Sequence, residues 1–239
     1  MKPDLIVRGG SVIDGTGAPA HIADVAVADG RVAEIGRIPA IEGVGELDAD
    51  GLTLAPGFID PHSHSDFTLL VDPRAVSSIA QGVTSEVVGN CGYGCGPIGD
   101  PALATEVIYG FRPDLPITWQ SIAGYLERLE GAKPAVNVLT LVPNGQLRLS
   151  TVGTEQRPAN SDELGIMKDM LKQGLEEGAF GYSTGLEYST EVGATEEEVT
   201  ELCRVAAAAG GIYATHTRNR DEASVEAVAE AIRTAENAG

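Results

Sequence analysis

Two of the chain's four histidines, His62 and His64, stand with one residue between them. They follow directly on the segment Gly-Phe-Ile-Asp at residues 57–60. In a β-strand, residues i and i+2 point to the same side, so this spacing predicts two imidazoles aimed at one point. Neutral imidazole is a common ligand of zinc and similar metal ions. The pattern therefore favours a metal site over a polar turn that merely follows a strand.

The elements that would position these histidines are strands that alternate with helices from Phe58 onward, a pattern that predicts βα units and a parallel sheet. The predicted strands cover residues 58–62, 84–88, 136–142, 179–182 and 211–216. The residues suspected of chemistry all follow strand ends, where a (β/α)8 barrel places its active site: His62, His64, Cys91, Tyr188 and His216.

Three predicted helices carry apolar residues at helical spacing. These stripes are Leu164, Met167, Leu171 and Leu175, then Val199, Leu202, Cys203 and Ala206, and finally Val225, Val228, Ile232 and Ala235. Thr195, followed by Glu198, predicts a capping box at the start of the second helix. Residues 94–116 are rich in Gly and Pro and predict a long loop, which we expect over the site because it follows Cys91.

Residues 1–55 predict a separate segment of short strands and turns. Asp14-Gly15 and Asp29-Gly30 stand between apolar, β-rich runs, and Asp-Gly is a strong hairpin signal. Pro56-Gly57 then separates this segment from the strand that leads to the histidines. We expect one domain over 1–55 and a second over 56–239.

The histidine segment, Gly-Phe-Ile-Asp-x-His-x-His, resembles the first-strand signature of the amidohydrolase superfamily, whose members are metal-dependent hydrolases built on a (β/α)8 barrel. Residues 4–15 and 24–32 resemble the small β-sandwich that precedes this barrel. Residues 89–92, 185–188 and 213–218 together resemble the N-acyl-D-amino-acid deacylases. The resemblance implies an α/β fold: a TIM-type metallo-dependent hydrolase barrel, with about its first five βα units present, after an N-terminal β-sandwich segment.

The same resemblance implies a metal site that holds one or two zinc ions on His62, His64, Cys91 and His216. Many amidohydrolases bridge two metals with a carbamylated lysine at the fourth strand, but residues 181–185 contain no lysine. Cys91 would take the bridging place, and His216 would hold the more tightly bound metal. The alternatives are an inert, partly buried cysteine and a hydrogen-bonded core histidine. We expect Cys95 to pack in the loop, Cys203 in the core and His21 in a surface turn.

Two other polar residues near the strand ends have two interpretations each, and two aspartates have one. Tyr188 is a candidate hydrogen-bond donor to a developing oxyanion, or an ordinary loop aromatic. Arg218 is a candidate bidentate partner for a substrate carboxylate, or part of a structural salt bridge. Asp66 could orient a ligand imidazole, and Asp60 could cap a turn.

The function implied is a zinc-dependent hydrolase of linear amides that deacylates N-acyl-D-amino acids. A bound metal would polarise the amide carbonyl and activate water, and by resemblance the general base is an aspartate of the eighth strand, which this chain lacks. Asn144 stands where family members often have a histidine. The alternatives are a dihydroorotase-, hydantoinase- or isoaspartyl-dipeptidase-like enzyme and a non-catalytic zinc-binding or assembly partner.

Composition limits the partners. A formal net charge of −19 argues against nucleic acid and anionic membranes, which need basic patches. Three cysteines do not predict a disulfide framework, and neither a secretory segment nor a membrane span is evident, so we expect a cytoplasmic protein. Five barrel strands would leave an open edge. We therefore expect a truncated or cleaved form, or a second polypeptide that completes the barrel.

Overall fold

The computed structural model describes residues 2–239 and divides into two units after Gly57. In the first unit, short β-rich runs form one sheet. Its strands are β1 (Leu5–Val12), β2 (His21–Ala28), β3 (Arg31–Gly36), β4 (Gly45–Asp48) and β5 (Thr53–Leu54). The order is β3-β2-β1-β4, with β5 also paired to β1. Only this sheet is present among the described residues of the unit, so the β-sandwich stays a prediction.

One of the two hairpin signals forms a tight turn. Asp29 and Gly30 join β2 to β3 with φ angles of 50° and 70°, and two left-handed central residues define the turn that antiparallel strands prefer. Asp14 and Gly15 also lie between two antiparallel strands, but the connection from β1 to β2 is longer and covers residues 13–20. His21 is exposed as expected, but it is the first residue of β2 rather than part of a turn.

The second unit, Phe58–Gly239, contains two parallel three-stranded sheets. The first has β6 (Phe58–Asp60), β7 (Val83–Val88) and β8 (Asn137–Thr140), and the second has β9 (Val142–Pro143), β10 (Gly181–Gly185) and β11 (Ile212–His216). The predicted strand 136–142 is thus divided, with Leu141 between its two parts. Neighbouring strands follow chain order, as a barrel requires, and closure of a barrel stays a prediction.

Helices connect these strands: α1 (Thr68–Val71), α2 (Val76–Ile79), α3 (Pro101–Ala104), α4 (Ile122–Ala132), α5 (Asn144–Leu149), α6 (Ser161–Glu176), α7 (Glu196–Ala208) and α8 (Ser224–Ala238). The apolar stripes of α6 and α7 are confirmed, since Met167 and Leu171 share one core cluster with Leu202 and Cys203. Among the described residues, no helix is long and apolar enough to cross a membrane.

Two helices depart in part from what their sequence patterns suggest. The Val225, Val228 and Ile232 face of α8 is exposed, and the buried residues are Ala227 and Thr234, whose small side chains lie on another face of the helix. The capping box of α7 is only half formed. Thr195 accepts from the Glu198 N–H at 3.1 Å, but the Glu198 carboxylate bonds instead to Arg148 and to the Ala159 N–H.

Candidate metal centre

The strand before the histidines is shorter than predicted. β6 ends at Asp60, whose Oδ1 accepts a hydrogen bond of 3.0 Å from the His62 N–H, and Pro61 has no N–H to continue a ladder. Asp60 therefore caps a turn, as predicted. His62 and His64 lie in the loop after β6, so strand alternation alone does not explain how they converge.

The two histidines nevertheless converge, and they do so with Cys91. The ligand atoms of His62, His64 and Cys91 all lie within 4.8 Å of one another. The Cys91 Sγ is 3.2 Å from His62 Nε2, and the two imidazole rings are 5.3 Å apart. Cys91 is buried, His64 is half-buried and His62 is exposed, so the cluster opens to solvent on the His62 side.

The turn that carries Cys91 needs its glycines. Gly89 and Gly92 adopt φ angles of 77° and 70°, and Cys91 itself is left-handed at 56°. A Cβ on Gly89 would collide with the Leu141 carbonyl, and one on Gly92 with the Glu191 carboxylate. Only glycine fits both places without strain, and the tight turn directs the thiol toward the histidines.

Burial shifts the pKa values of two members of the cluster. Burial, reinforced by the charge of Glu191, raises the pKa of the Cys91 thiol to about 11. Burial and then the charge of His62 lower the pKa of His64, which favours the neutral imidazole that binds metals. His64 Nδ1 is buried without a hydrogen-bond partner. Two imidazoles and a thiol are a donor set that suits zinc, so the residues fit this ion.

His216 ends β11, as predicted, but it is not in this cluster. Its Nε2 lies 2.7 Å from the Glu187 carboxylate, and its Nδ1 lies 3.0 Å from the Tyr188 hydroxyl. In the neutral imidazole, Nε2–H donates to Glu187 and Nδ1 accepts from Tyr188. Both ring nitrogens therefore have protein partners, and metal ligation by His216 stays a prediction.

A chain of aromatic rings joins the two histidine positions. Successive ring centroids are 4.7 Å apart from His64 to Tyr109, 4.8 Å from Tyr109 to Tyr93, 4.9 Å from Tyr93 to Tyr188 and 4.6 Å from Tyr188 to His216. Tyr93 and Tyr109 belong to the segment that follows Cys91. The expectation that this segment reaches the site is confirmed, although part of it forms α3 and a 3₁₀ turn at Thr105–Val107.

Comparison with known proteins agrees with this geometry. The sequence matches the amidohydrolase family over residues 45–239. The chain belongs to this family. It is 38% identical to the N-acyl-D-glutamate deacylase of Alcaligenes xylosoxydans xylosoxydans, over 100% of this chain and 48% of the relative. It is 37% identical to the D-aminoacylase of the same organism, over 96% of this chain and 47% of the relative.

A solved structure extends the similarity to the fold. The crystal structure of N-acyl-D-glutamate deacylase from Bordetella bronchiseptica, complexed with zinc and a phosphonate mimic of the tetrahedral intermediate, matches with a TM-score of 0.89. The identity is 36%, over 98% of this chain and 49% of that one. The amidohydrolase chain thus spans about half the length of the relatives it matches.

The arginine that sequence reasoning singled out is engaged elsewhere. Arg218 binds Glu230 of α8 through Nε and Nη2, the latter at 2.7 Å. Of its two interpretations, the structural salt bridge is the one that forms. Arg220, two residues on, is exposed, and its one side-chain hydrogen bond within residues 2–239 is from Nε to Glu187 at 3.2 Å. Glu187 also lies 2.7 Å from His216 Nε2, so Arg220 and His216 share this carboxylate.

The prediction that Asp66 orients a ligand imidazole was wrong, because Asp66 bonds to neither His62 nor His64. It is buried, and its Oδ1 accepts a 2.6 Å hydrogen bond from the Gly89 N–H, so it fixes the turn that precedes Cys91. Burial raises the pKa of Asp66 to about 7. Cys95 and Cys203 are buried in two separate apolar clusters, as expected.

Sequence reasoning missed a buried polar group behind the Cys91 turn. Glu191 Oε2 accepts from Asn144 Nδ2 at 2.8 Å and from the Gly185 N–H at 2.9 Å. Arg148, fully buried, donates to the Thr190 carbonyl at 2.8 Å and pairs with Glu198. These contacts hold the loop after β10 against α5, and the one signal for them in the sequence was that Asn144 stands where family members often have a histidine.

Proposed function

We propose that the protein is a zinc-dependent amidohydrolase that cleaves linear amides, with N-acyl-D-amino acids as substrates. The observation that carries this proposal is the convergence of His62, His64 and Cys91 from two successive strand ends. The relatives, which include a D-aminoacylase and an N-acyl-D-glutamate deacylase, support the substrate class. The similarity to a zinc complex supports the metal. A full (β/α)8 barrel is part of the proposal.

The residues would divide the chemistry among them. Zinc, when bound, supplies an electrophile that polarises the amide carbonyl and activates water. His62 and His64 would hold it as neutral imidazoles, Cys91 as a thiolate, and His216 as a further ligand once its Nε2 leaves Glu187. The Tyr188 hydroxyl, 3.0 Å from His216, would donate a hydrogen bond to the developing oxyanion.

For the substrate carboxylate we propose Arg220 in place of Arg218. The Arg218 guanidinium is held by Glu230, while Arg220 keeps both terminal nitrogens free of protein partners among the described residues. An exposed guanidinium beside the site offers the planar fork that binds a carboxylate with two hydrogen bonds. The general base, and a second polypeptide that completes the barrel, stay predictions.

The test combines metal content with a substrate panel. The purified chain, loaded with zinc, is assayed against N-acetyl-D-amino acids, their L-enantiomers and hydantoins, and release of the free amino acid is measured. Hydrolysis of the D-series supports the proposal. Hydrolysis of hydantoins alone would favour a hydantoinase-like enzyme, and bound zinc without hydrolysis of any substrate would favour a non-catalytic zinc-binding partner. A folded chain that retains no zinc would contradict the metal site itself.

A further inference from the structure

A buried carboxylate lies beneath the loop that carries the histidines. Glu86, on β7, is 1% exposed, and its Oε2 accepts hydrogen bonds from the hydroxyls of Ser63, at 3.1 Å, and Ser65. The two hydroxyls lie 2.9 Å from each other. Ser63 and Ser65 alternate along the chain with His62 and His64, so Glu86 binds every second residue of the histidine segment.

This alternation adds to the few other contacts of the loop, which include the His62 N–H to Asp60 Oδ1 at 3.0 Å and Asn90 Nδ2 to the Pro61 carbonyl at 3.4 Å. β6 has already ended at Asp60, and the Ser63 N–H donates one further hydrogen bond, of 2.9 Å, to the Val87 carbonyl. Anchoring Ser63 and Ser65 to one carboxylate on one side of the segment limits where the histidine between them can point.

The surroundings of the two sides differ accordingly. Glu86 and Ser65 line a cavity of about 260 Å³ together with Thr68, Leu69 and Asp72 of the α1 region. The histidines instead contact Cys91 and the tyrosine rings. The carboxylate and the candidate ligands thus occupy opposite sides of one short segment.

We propose that Glu86 is a positioning residue for the metal ligands His62 and His64, acting through the hydroxyls of Ser63 and Ser65. The proposal rests on the metal site of the proposed function. Partners that orient metal ligands without touching the metal contribute roughly 10- to 100-fold to metal affinity. A carboxylate that accepts from both serines would contribute in this range by holding both imidazoles at once.

The test uses graded variants of the full chain. Zinc affinity is measured by competition with a chromophoric chelator, and the geometry of the site by the absorption of its cobalt(II) form. We expect Glu86→Ala to weaken zinc binding at least about 10-fold, and Ser65→Ala to weaken it less, since one hydroxyl remains. Glu86→Gln should stay within about 3-fold of wild type, because its amide oxygen still accepts from both serines.

A matched control separates positioning from general stability. Glu198 is another buried carboxylate, paired with Arg148 away from the histidines. Glu198→Ala should lower stability and leave zinc affinity unchanged. Equal zinc affinity and an unchanged cobalt spectrum in folded Glu86→Ala and Ser65→Ala would overturn the proposal.

A second readout does not need the metal. NMR resonances of the His62 and His64 rings should shift in Glu86→Ala, and should remain near wild type in Glu86→Gln and Glu198→Ala. Unshifted rings in Glu86→Ala would overturn the positioning role. If the wild-type chain bound no zinc, the proposed function would fail, and the ring resonances would still decide whether Glu86 positions the histidines.

Discussion

The Sγ atom of Cys91 lies 3.2 Å from Nε2 of His62, although the two residues are 29 positions apart. The contact exists because β6 and β7 are parallel neighbours and each ends in a turn at the same edge of the sheet. Burial keeps this thiol protonated near neutral pH, with a pKa of about 11. A bound cation would reverse that preference, because a thiolate is the form that ligates metal.

Replacing Cys91 tests this contact directly. We expect Cys91→Ala to weaken zinc binding by roughly 100-fold or more, since even residues that only orient ligands contribute 10- to 100-fold. Cys203→Ala is the matched control, because Cys203 is equally buried but packs in the apolar core of α7. Chelator competition on the two variants provides the measurement. Equal loss of affinity in both would show that the effect is one of stability.

The same thiol predicts a proton release. Because the folded pKa of Cys91 is about 11, the group carries its proton at about pH 7.5 and must lose it to bind zinc. Calorimetric titration with zinc in buffers of different ionisation enthalpy should report about one proton released per ion, and this proton should be absent in Cys91→Ala. A wild-type value near zero would mean that Cys91 does not ligate the metal.

The two arginines after β11 should separate by their kinetics. We expect Arg220→Ala to raise KM for an N-acyl-D-amino acid roughly 10- to 100-fold, the loss that accompanies hydrogen bonds to a charged group. Arg218→Ala should instead lower the free energy of unfolding by about 1 kcal/mol or less, because its partly exposed pair with Glu230 joins the end of β11 to α8. A raised KM in Arg218→Ala, with an unchanged KM in Arg220→Ala, would show instead that Arg218 binds the substrate carboxylate.

Three of the four candidate metal donors converge, and each of these three has a local signal in the sequence. His62 and His64 show their spacing, and Cys91 stands between glycines that a tight turn needs. The physical argument from the strand was nevertheless wrong, because Asp60 and Pro61 end β6 before either histidine. The sequence contains no local signal for Glu86, which we propose positions the histidines in place of a strand. Glu86 reaches Ser63 and Ser65 because β7 pairs with β6 in a particular register.

The sequence alone could not decide between similar side chains either, because that choice depends on contacts between elements that are distant in the chain. Arg218 contacts Glu230 of α8 and Arg220 contacts Glu187, and both contacts depend on how these parts of the chain are placed. The face of α8 was predicted from its larger apolar residues, and the smaller Ala227 and Thr234 are the ones buried. Periodicity identified the helix, and packing determined which of its faces is covered.

The buried carboxylate behind the Cys91 turn predicts a pH dependence of stability. Burial raises the pKa of Glu191 to about 7 from an ordinary value of 4.5, so the folded protein holds this proton more tightly than the unfolded chain. The stabilisation is complete below pH 4.5 and is lost as the pH rises through 7. Its size is about 3 kcal/mol.

Glu191→Gln should remove this loss, because an amide oxygen can accept from Asn144 Nδ2 and the Gly185 N–H without a charge. Urea denaturation from about pH 5 to about pH 8 should show a smaller decline in the free energy of unfolding than wild type. Glu163→Gln is the control: Arg157 lowers the pKa of Glu163 to about 2, so its own stabilisation changes only at more acidic pH. If the free energy of unfolding declined equally with pH in wild type and Glu191→Gln, then ionisation of Glu191 would not destabilise the folded protein and the prediction would be wrong.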